Sequence, residues 1–373
     1  MNVFRRAFHF SKPTNKPSEH FEPPEHAKPS IAFTGLRYLL LVLLRSFAFR
    51  WFAFNKPSLL LASGFNGLIN IIGRLLSFRL SSFPMATSLP ERRALSYQGV
   101  VTNKEAVVRF LAYVHPKQSS PHQSTRPNLI ICPGGVFCYG PYTHNGFARQ
   151  FYRAGYNVWV LDYTKLNAKN FRDETIMLQM FEEVVALYQH VVAGNDTAMA
   201  ESDAPPYLLS DSAGAVLMGQ LLLWLQHQKT PFTGTAHFIS PLYIDGLDSL
   251  DIERSNDPVL PAQGVEVLRQ ALTPSWRVLQ SAVGADIAPS TAVKTETAEQ
   301  NAAMKILISC GDRELLKNSA ERFKVFLEQA LKCSVVFKQY PHALYFHGVY
   351  VATALKEGRE VFKSVIKDMN ETD

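Results

Sequence analysis

Cysteine is scarce in this chain: among 373 residues only Cys132, Cys138, Cys310 and Cys333 occur, and no two stand at a metal-ligand spacing. Four scattered thiols argue for a reducing compartment rather than a disulfide framework, and they offer no thiolate metal site. Acidic residues are missing altogether from His26 to Pro90, where Lys28, Arg37, Arg45, Arg50, Lys56, Arg74 and Arg79 carry all the formal charge. The net charge of +6 and pI near 9.0 are therefore local features. The rest of the chain is close to neutral, which speaks against a nucleic-acid partner. A long uninterrupted apolar run is missing as well. The stretch 36–54 is broken by Arg45 and Arg50, and 58–78 by Asn66, Asn70 and Arg74, within spans that need about 20 apolar residues to cross a bilayer. The opening, Met1-Asn2-Val3-Phe4-Arg5-Arg6, lacks the apolar core of a cleavable secretory signal, which points to the cytoplasmic side.

What remains divides the chain into three. Residues 1–30 are polar and carry Pro13, Pro17, Pro23, Pro24 and Pro29, the composition of a flexible tail that cannot bury enough apolar surface to order itself. Residues 31–90 form a basic, hydrophobic helical segment, in which Asn66, Asn70 and Arg74 make a narrow polar stripe at i, i+4 and i+8. Clustered Phe, Leu and Trp with snorkelling Arg and Lys suit a hairpin lying in an anionic membrane surface through residues 31–80. The alternative is a cap packed on the following domain. Residues 91–373 alternate short apolar runs with longer helical patterns.

In that last region the patterns predict strands at 94–101, 106–114, 128–132, 157–162, 207–209, 235–239, 305–309 and 334–339. Helices are expected at 144–154, 174–192, 213–227, 265–271, 318–331 and 350–369. Two leading strands followed by strand–helix alternation imply an α/β fold with a mostly parallel central sheet covered by helices on both faces. Ligands in such sheets bind beyond the carboxyl ends of the strands. The interval 242–304 is too long for a simple connection and reads as a lid-like insertion.

Three stretches in this region carry chemistry. Tyr207-Leu208-Leu209-Ser210-Asp211-Ser212-Ala213-Gly214-Ala215 is an apolar strand that stops at a serine between small residues and restarts as a helix. That is how a nucleophile elbow reads, with Ser210 and Gly214 as the small neighbours the sharp turn demands. One strand-helix-strand unit earlier, Cys132-Pro133-Gly134-Gly135-Val136-Phe137 places glycines directly after a buried strand. Backbone N–H groups there and at Ala213 form a candidate oxyanion hole from Gly135 and Ala213, with Gly134 as a further donor. The alternative is a plain tight turn. After the next strand-helix units come Asp312 and Glu314, then His342 and His347. Glu314, deeper in its loop, is favoured over Asp312 as the acid that would orient the histidine, although either also suits a solvated loop or a helix N-cap. His347 beside Gly348 has the freedom to reach Ser212, whereas His342 directly follows Pro341. His144, beyond the glycines, is close enough in sequence to touch substrate but reads more readily as a surface loop residue.

The order serine, acid, histidine is the one this architecture requires. On these residues the chain, from about residue 93 onward, resembles the α/β-hydrolases, and within them the hormone-sensitive-lipase-like and acetylesterase-like serine carboxylesterases. Pro133-Gly134-Gly135-Val136 is similar to the family's Pro-Gly-Gly-Gly loop except at Val136, and Val158-Trp159-Val160-Leu161-Asp162-Tyr163 to its strand ending in Asp-Tyr. Relatives with a Gly-x-x-Glu-x-Leu loop use the glutamate as triad acid, which carries onto Glu314. Departures at Ser210, Val136 and Ala215 bear on the shape of the acyl pocket and remove no catalytic group. The resemblance implies a Ser212–Glu314–His347 triad, or Asp312 in place of Glu314, acting through an acyl-enzyme on small-molecule or lipid esters without metal or organic cofactor. Two other readings stand beside it: a membrane-tethered binding protein using the old pocket, and a hydrolase of thioester or peptide bonds.

Overall fold

A computed structural model describes residues 90–115, 126–137, 141–167, 170–194, 204–247, 262–284, 304–311, 315–340 and 356–370. Eight strands form one sheet: β1 (Glu91–Gln98), β2 (Glu105–Tyr113), β3 (Asn128–Cys132), β4 (Asn157–Asp162), β5 (Tyr207–Asp211), β6 (Thr235–Ile239), β7 (Lys305–Gly311) and β8 (Val335–Tyr340). Their order is β1-β2-β4-β3-β5-β6-β7-β8. β2 pairs antiparallel with both β1 and β4, and the pairs from β4 through β8 are parallel.

Six helices of this region are α1 (Asn145–Arg153), α2 (Ile176–Val192), α3 (Ser212–His227), α4 (Ala262–Val283), α5 (Lys317–Leu331) and α6 (Lys356–Asn370). β3, Asn128–Cys132, is buried along its whole length, as a strand covered on both faces must be. Its side chains divide between two cores. Ile130 and Cys132 join a large cluster with residues of α2, α3, α4 and α5, while Leu129 and Ile131 pack with Phe147 and Phe151 of α1 and Val365 and Met369 of α6. α3, with 13 buried residues of 16, is enclosed by other elements and does not show a one-sided apolar stripe.

β4 and β5 flank β3, and α1 and α2, which follow β3 and β4, lie on opposite faces of the sheet. Sequence order therefore reverses around β3, which makes the carboxyl ends of β3 and β5 the place where such a sheet binds a ligand.

The largest departure from the sequence pattern is α4. Pro274 lies inside this 22-residue helix, three residues past the expected end at residue 271. A residue before proline is driven away from helical geometry, which is why the pattern stops there. Packing overrides that tendency: Leu268, Leu272, Trp276, Leu279 and Val283 form one buried stripe, and Trp276 Nε1 donates to Asp245 Oδ2 at 2.6 Å. The expected tail, the basic hydrophobic segment and most of the rest of the 242–304 interval lie outside the described residues. No helix among the described residues is long and apolar enough to cross a membrane.

Candidate active site at the carboxyl ends of β3 and β5

β5 runs two residues further than its apolar pattern suggests, through Ser210 and Asp211, and α3 begins immediately at Ser212. The reversal falls on one residue. Ser212 has φ +47°, a left-handed conformation rarely adopted by residues with a Cβ, so the turn stores strain of about 1–3 kcal/mol that surrounding contacts must hold. One such contact is the Leu242 N–H donating to Ser212 O at 3.0 Å.

The glycines around the turn explain how two chain segments come so close. A Cβ on Gly214 would lie 2.2 Å from Cys132 O, and one on Gly134 would lie 2.8 Å from Ser212 Cβ and 2.4 Å from an oxygen of Asp211. Only glycine allows the first turn of α3 and the loop after β3 to touch. Ser210, the small residue two before the turn serine, is buried within the sheet, and its hydroxyl has no hydrogen-bond partner among the described residues.

The loop after β3 is itself strained. Gly135, Val136 and Phe137 have φ of +95°, +58° and +60° in succession, unusual for valine above all. Neighbouring groups hold this shape. The Phe137 side chain is fully buried, its carbonyl accepts the Leu166 N–H at 2.9 Å, and the Tyr163 hydroxyl donates to Pro133 O at 2.8 Å. The Lys165 ammonium sits 3.4 Å over the Tyr163 ring and 3.5 Å from Asp162; burial pulls its pKa down to about 8. Burial pushes the Cys132 thiol well above its ordinary range, so that sulfur is a packing group, not a nucleophile.

Asp211 and His144 emerge from the structure with roles the sequence did not suggest. Asp211 Oδ1 accepts the Gly134 N–H at 2.6 Å and lies 2.8 Å from His144 Nε2. Expected as a surface loop residue, His144 is only 3% exposed and ends a short 3-10 turn, Pro141–His144, leading into α1. An acid embedded in an apolar strand was the available signal, because a buried carboxylate needs donors.

The structure thus brings Ser212, Ala213, Gly134 and Gly135 together. The Gly134 N–H is occupied by Asp211. β7 ends at Gly311 and β8 at Tyr340, register partners at the same carboxyl edge. Asp312, Glu314, His342 and His347, which follow these two residues in sequence, lie outside the described residues. Among the described residues no three His, Cys, Asp or Glu side chains are grouped to hold a metal ion.

No family model matches the chain, and no curated protein matches it. Solved structures do. Carboxyl esterase 2 from the mycorrhizal fungus Tuber melanosporum aligns at 18% identity and TM-score 0.56, covering 79% of this chain and 96% of its own. A hyperthermophilic esterase from the archaeon Pyrobaculum calidifontis aligns at 15% identity and TM-score 0.61, covering 90% and 96%. A thermostable esterase from Pseudomonas putida aligns at 13% identity and TM-score 0.61, covering 91% and 98%. Sheet order, strand directions and these likenesses agree: the chain has the α/β-hydrolase fold.

Proposed function

We propose that this protein is a serine carboxylesterase with Ser212 as nucleophile. The observation that carries the reading is the Ser212 turn, held in left-handed geometry between β5 and α3 and packed against the Gly134 loop. A serine on such a turn, next to a glycine loop whose backbone N–H groups can face an oxyanion, is the arrangement acyl transfer needs. In this reading His347 takes the Ser212 proton as the hydroxyl attacks an ester carbonyl, and Glu314, or Asp312 in its stead, orients the histidine. The N–H groups of Gly135 and Ala213 receive the oxyanion. Gly134, whose own N–H is held by Asp211, serves by its lack of a side chain. The imidazolium then protonates the departing alcohol, and water attacks the acyl-enzyme to release the acid.

The solved neighbours named above are esterases, which favours esters over other acyl substrates. The basic hydrophobic segment before the catalytic region adds a preference for esters that partition to membranes, reached from the cytoplasmic face through residues 31–80. Deleting residues 1–80 should reduce sedimentation with anionic vesicles; unchanged sedimentation refutes that part.

The reaction is tested by hydrolysis of p-nitrophenyl acetate. Ser212→Ala should lower kcat by roughly 10⁴-fold or more, and Glu314→Gln by roughly 10³-fold, against a smaller effect of Asp312→Asn. Wild-type rates in Ser212→Ala overturn the nucleophile, and a larger loss from Asp312→Asn exchanges the acid.

A further inference from the structure

His144 is a buried imidazole 68 residues before Ser212 in the chain, yet it is linked to the elbow through one carboxylate oxygen. Asp211 Oδ1 collects two donors, the Gly134 N–H at 2.6 Å and His144 Nε2 at 2.8 Å. The first belongs to the loop after β3 and the second to the turn entering α1, so the oxygen ties the segments on either side of residues 135–143 to the residue that precedes Ser212. Asp211 is well placed to do so: its backbone is extended (φ −132°, ψ 155°), and it immediately precedes the strained Ser212. Hydrogen bonds to a carboxylate are stronger and shorter than neutral ones. The Gly134 loop has no slack against this clamp, because its Cα stands where any Cβ would strike Asp211 and Ser212.

We infer that His144 is a positioning residue for the Ser212 site: by holding the Asp211 carboxylate toward Gly134 it sets the Gly135 N–H beside the Ser212 hydroxyl before substrate arrives. The inference rests on Ser212 being the nucleophile. An oxyanion donor works by being fixed where charge will develop, and displacement by a fraction of an ångström weakens it without touching substrate binding. Without the His144 donor, the Asp211 carboxylate turns toward other donors, and the Gly134 loop is released from the elbow. His144 acts on the reacting atoms only through Asp211, so its loss should fall on kcat and leave KM nearly unchanged.

The test compares wild type with His144→Phe, which fills the space but donates nothing, and His144→Gln, whose amide can donate in place of Nε2. Asp211→Asn is a milder variant that keeps an acceptor oxygen with less charge. Two readouts are taken: hydrogen exchange of the peptide spanning residues 133–137, and the rate of Ser212 labelling by a fluorophosphonate. His144→Phe should speed exchange in 133–137 and slow labelling roughly tenfold or more, with the KM for p-nitrophenyl acetate within about twofold of wild type. His144→Gln should recover most of both, and Asp211→Asn should shift both in the direction of His144→Phe. Wild-type exchange and labelling in His144→Phe overturn the inference, as does a His144→Gln no better than His144→Phe. Should His144→Phe not fold, Asp211→Asn decides: unchanged exchange and labelling refute the clamp. A wild-type protein inert to the fluorophosphonate removes the esterase reading instead, while the exchange arm still decides whether His144 holds the loop.

Discussion

Replacing Gly214 with alanine adds one carbon where the structure leaves no room. The new Cβ would stand 2.2 Å from Cys132 O, 2.7 Å from Pro133 O and 2.8 Å from the Cys132 carbonyl carbon. An ordinary carbon–oxygen contact is about 3.3 Å or longer, so the overlap is about 1 Å. The obstacle is backbone at the end of β3, where Cys132 pairs in register with Ser210 of β5, and a strand end in a parallel ladder cannot swing aside as a side chain can. Either α3 or the Pro133–Phe137 loop must move. Forced overpacking of this kind costs about 3 kcal/mol, which for a domain of this size lowers Tm by roughly 6–12 °C. The same movement separates Ser212 from the Gly135 N–H by a sizeable part of 1 Å, enough to reduce kcat by about 100-fold. Gly194→Ala is the control: unlike the helical Gly214 it has a positive φ, +60°, but its Cβ would meet nothing within 4 Å among the described residues. It should lose only about 1 kcal/mol from the left-handed backbone and keep its ester hydrolysis rate. Thermal melts and p-nitrophenyl acetate turnover of both variants decide the matter. A Gly214→Ala protein that melts and turns over like Gly194→Ala would refute the claim that the two segments are in contact.

Two further expectations concern buried titratable groups on the sheet and beside it. His237 on β6 is fully enclosed, bonded through Nε2 to Ser309 Oγ at 2.8 Å, and burial with the nearby Lys338 charge pulls its pKa down to about 3. The unfolded chain therefore binds a proton at this position between pH 6.5 and 3 that the folded protein refuses, so stability falls on acidification through that window. The expected slope is up to about 1.4 kcal/mol per pH unit, and His237→Gln should lose it relative to wild type in urea melts; equal slopes contradict the assignment. Lys165 behaves in the alkaline range. With its folded pKa lowered to about 8, the unfolded lysine holds the extra proton up to about pH 10.5, and stability should rise with pH between those values. Lys165→Met should therefore stabilise the protein at pH 7 by on the order of 3 kcal/mol, with the gain shrinking as pH passes 8. A variant less stable than wild type at pH 7 would overturn this.

Much of the framework was legible because its elements carry their own signals. β3, β4 and β6 match the pattern residue for residue, since each is a short apolar run bounded by turn residues. The elbow was legible because a strand, a serine among small residues and a helix follow one another without a gap. Long-range effects were not. Nothing near Pro274 says that Trp276 will find Asp245, 31 residues away, and that pairing accompanies a helix that runs on to Val283, more than three turns past the expected end at residue 271. His144 and Asp211 are 67 residues apart, and only the fold makes them neighbours. The positive φ at Val136 and Phe137 likewise depends on tertiary support, here the buried Phe137 ring and the Tyr163 hydroxyl bond to Pro133 O.

Ester hydrolysis by this protein depends, in the proposed reaction, on Ser212 at the β5–α3 turn acting as a nucleophile. Incubating the full-length protein with a fluorophosphonate, digesting it and mapping the adduct by mass spectrometry tests this without any assumption about substrate. One stoichiometric adduct is expected on the peptide containing Ser212, absent from Ser212→Ala. An unlabelled wild-type protein, or an adduct that persists in Ser212→Ala, would contradict it.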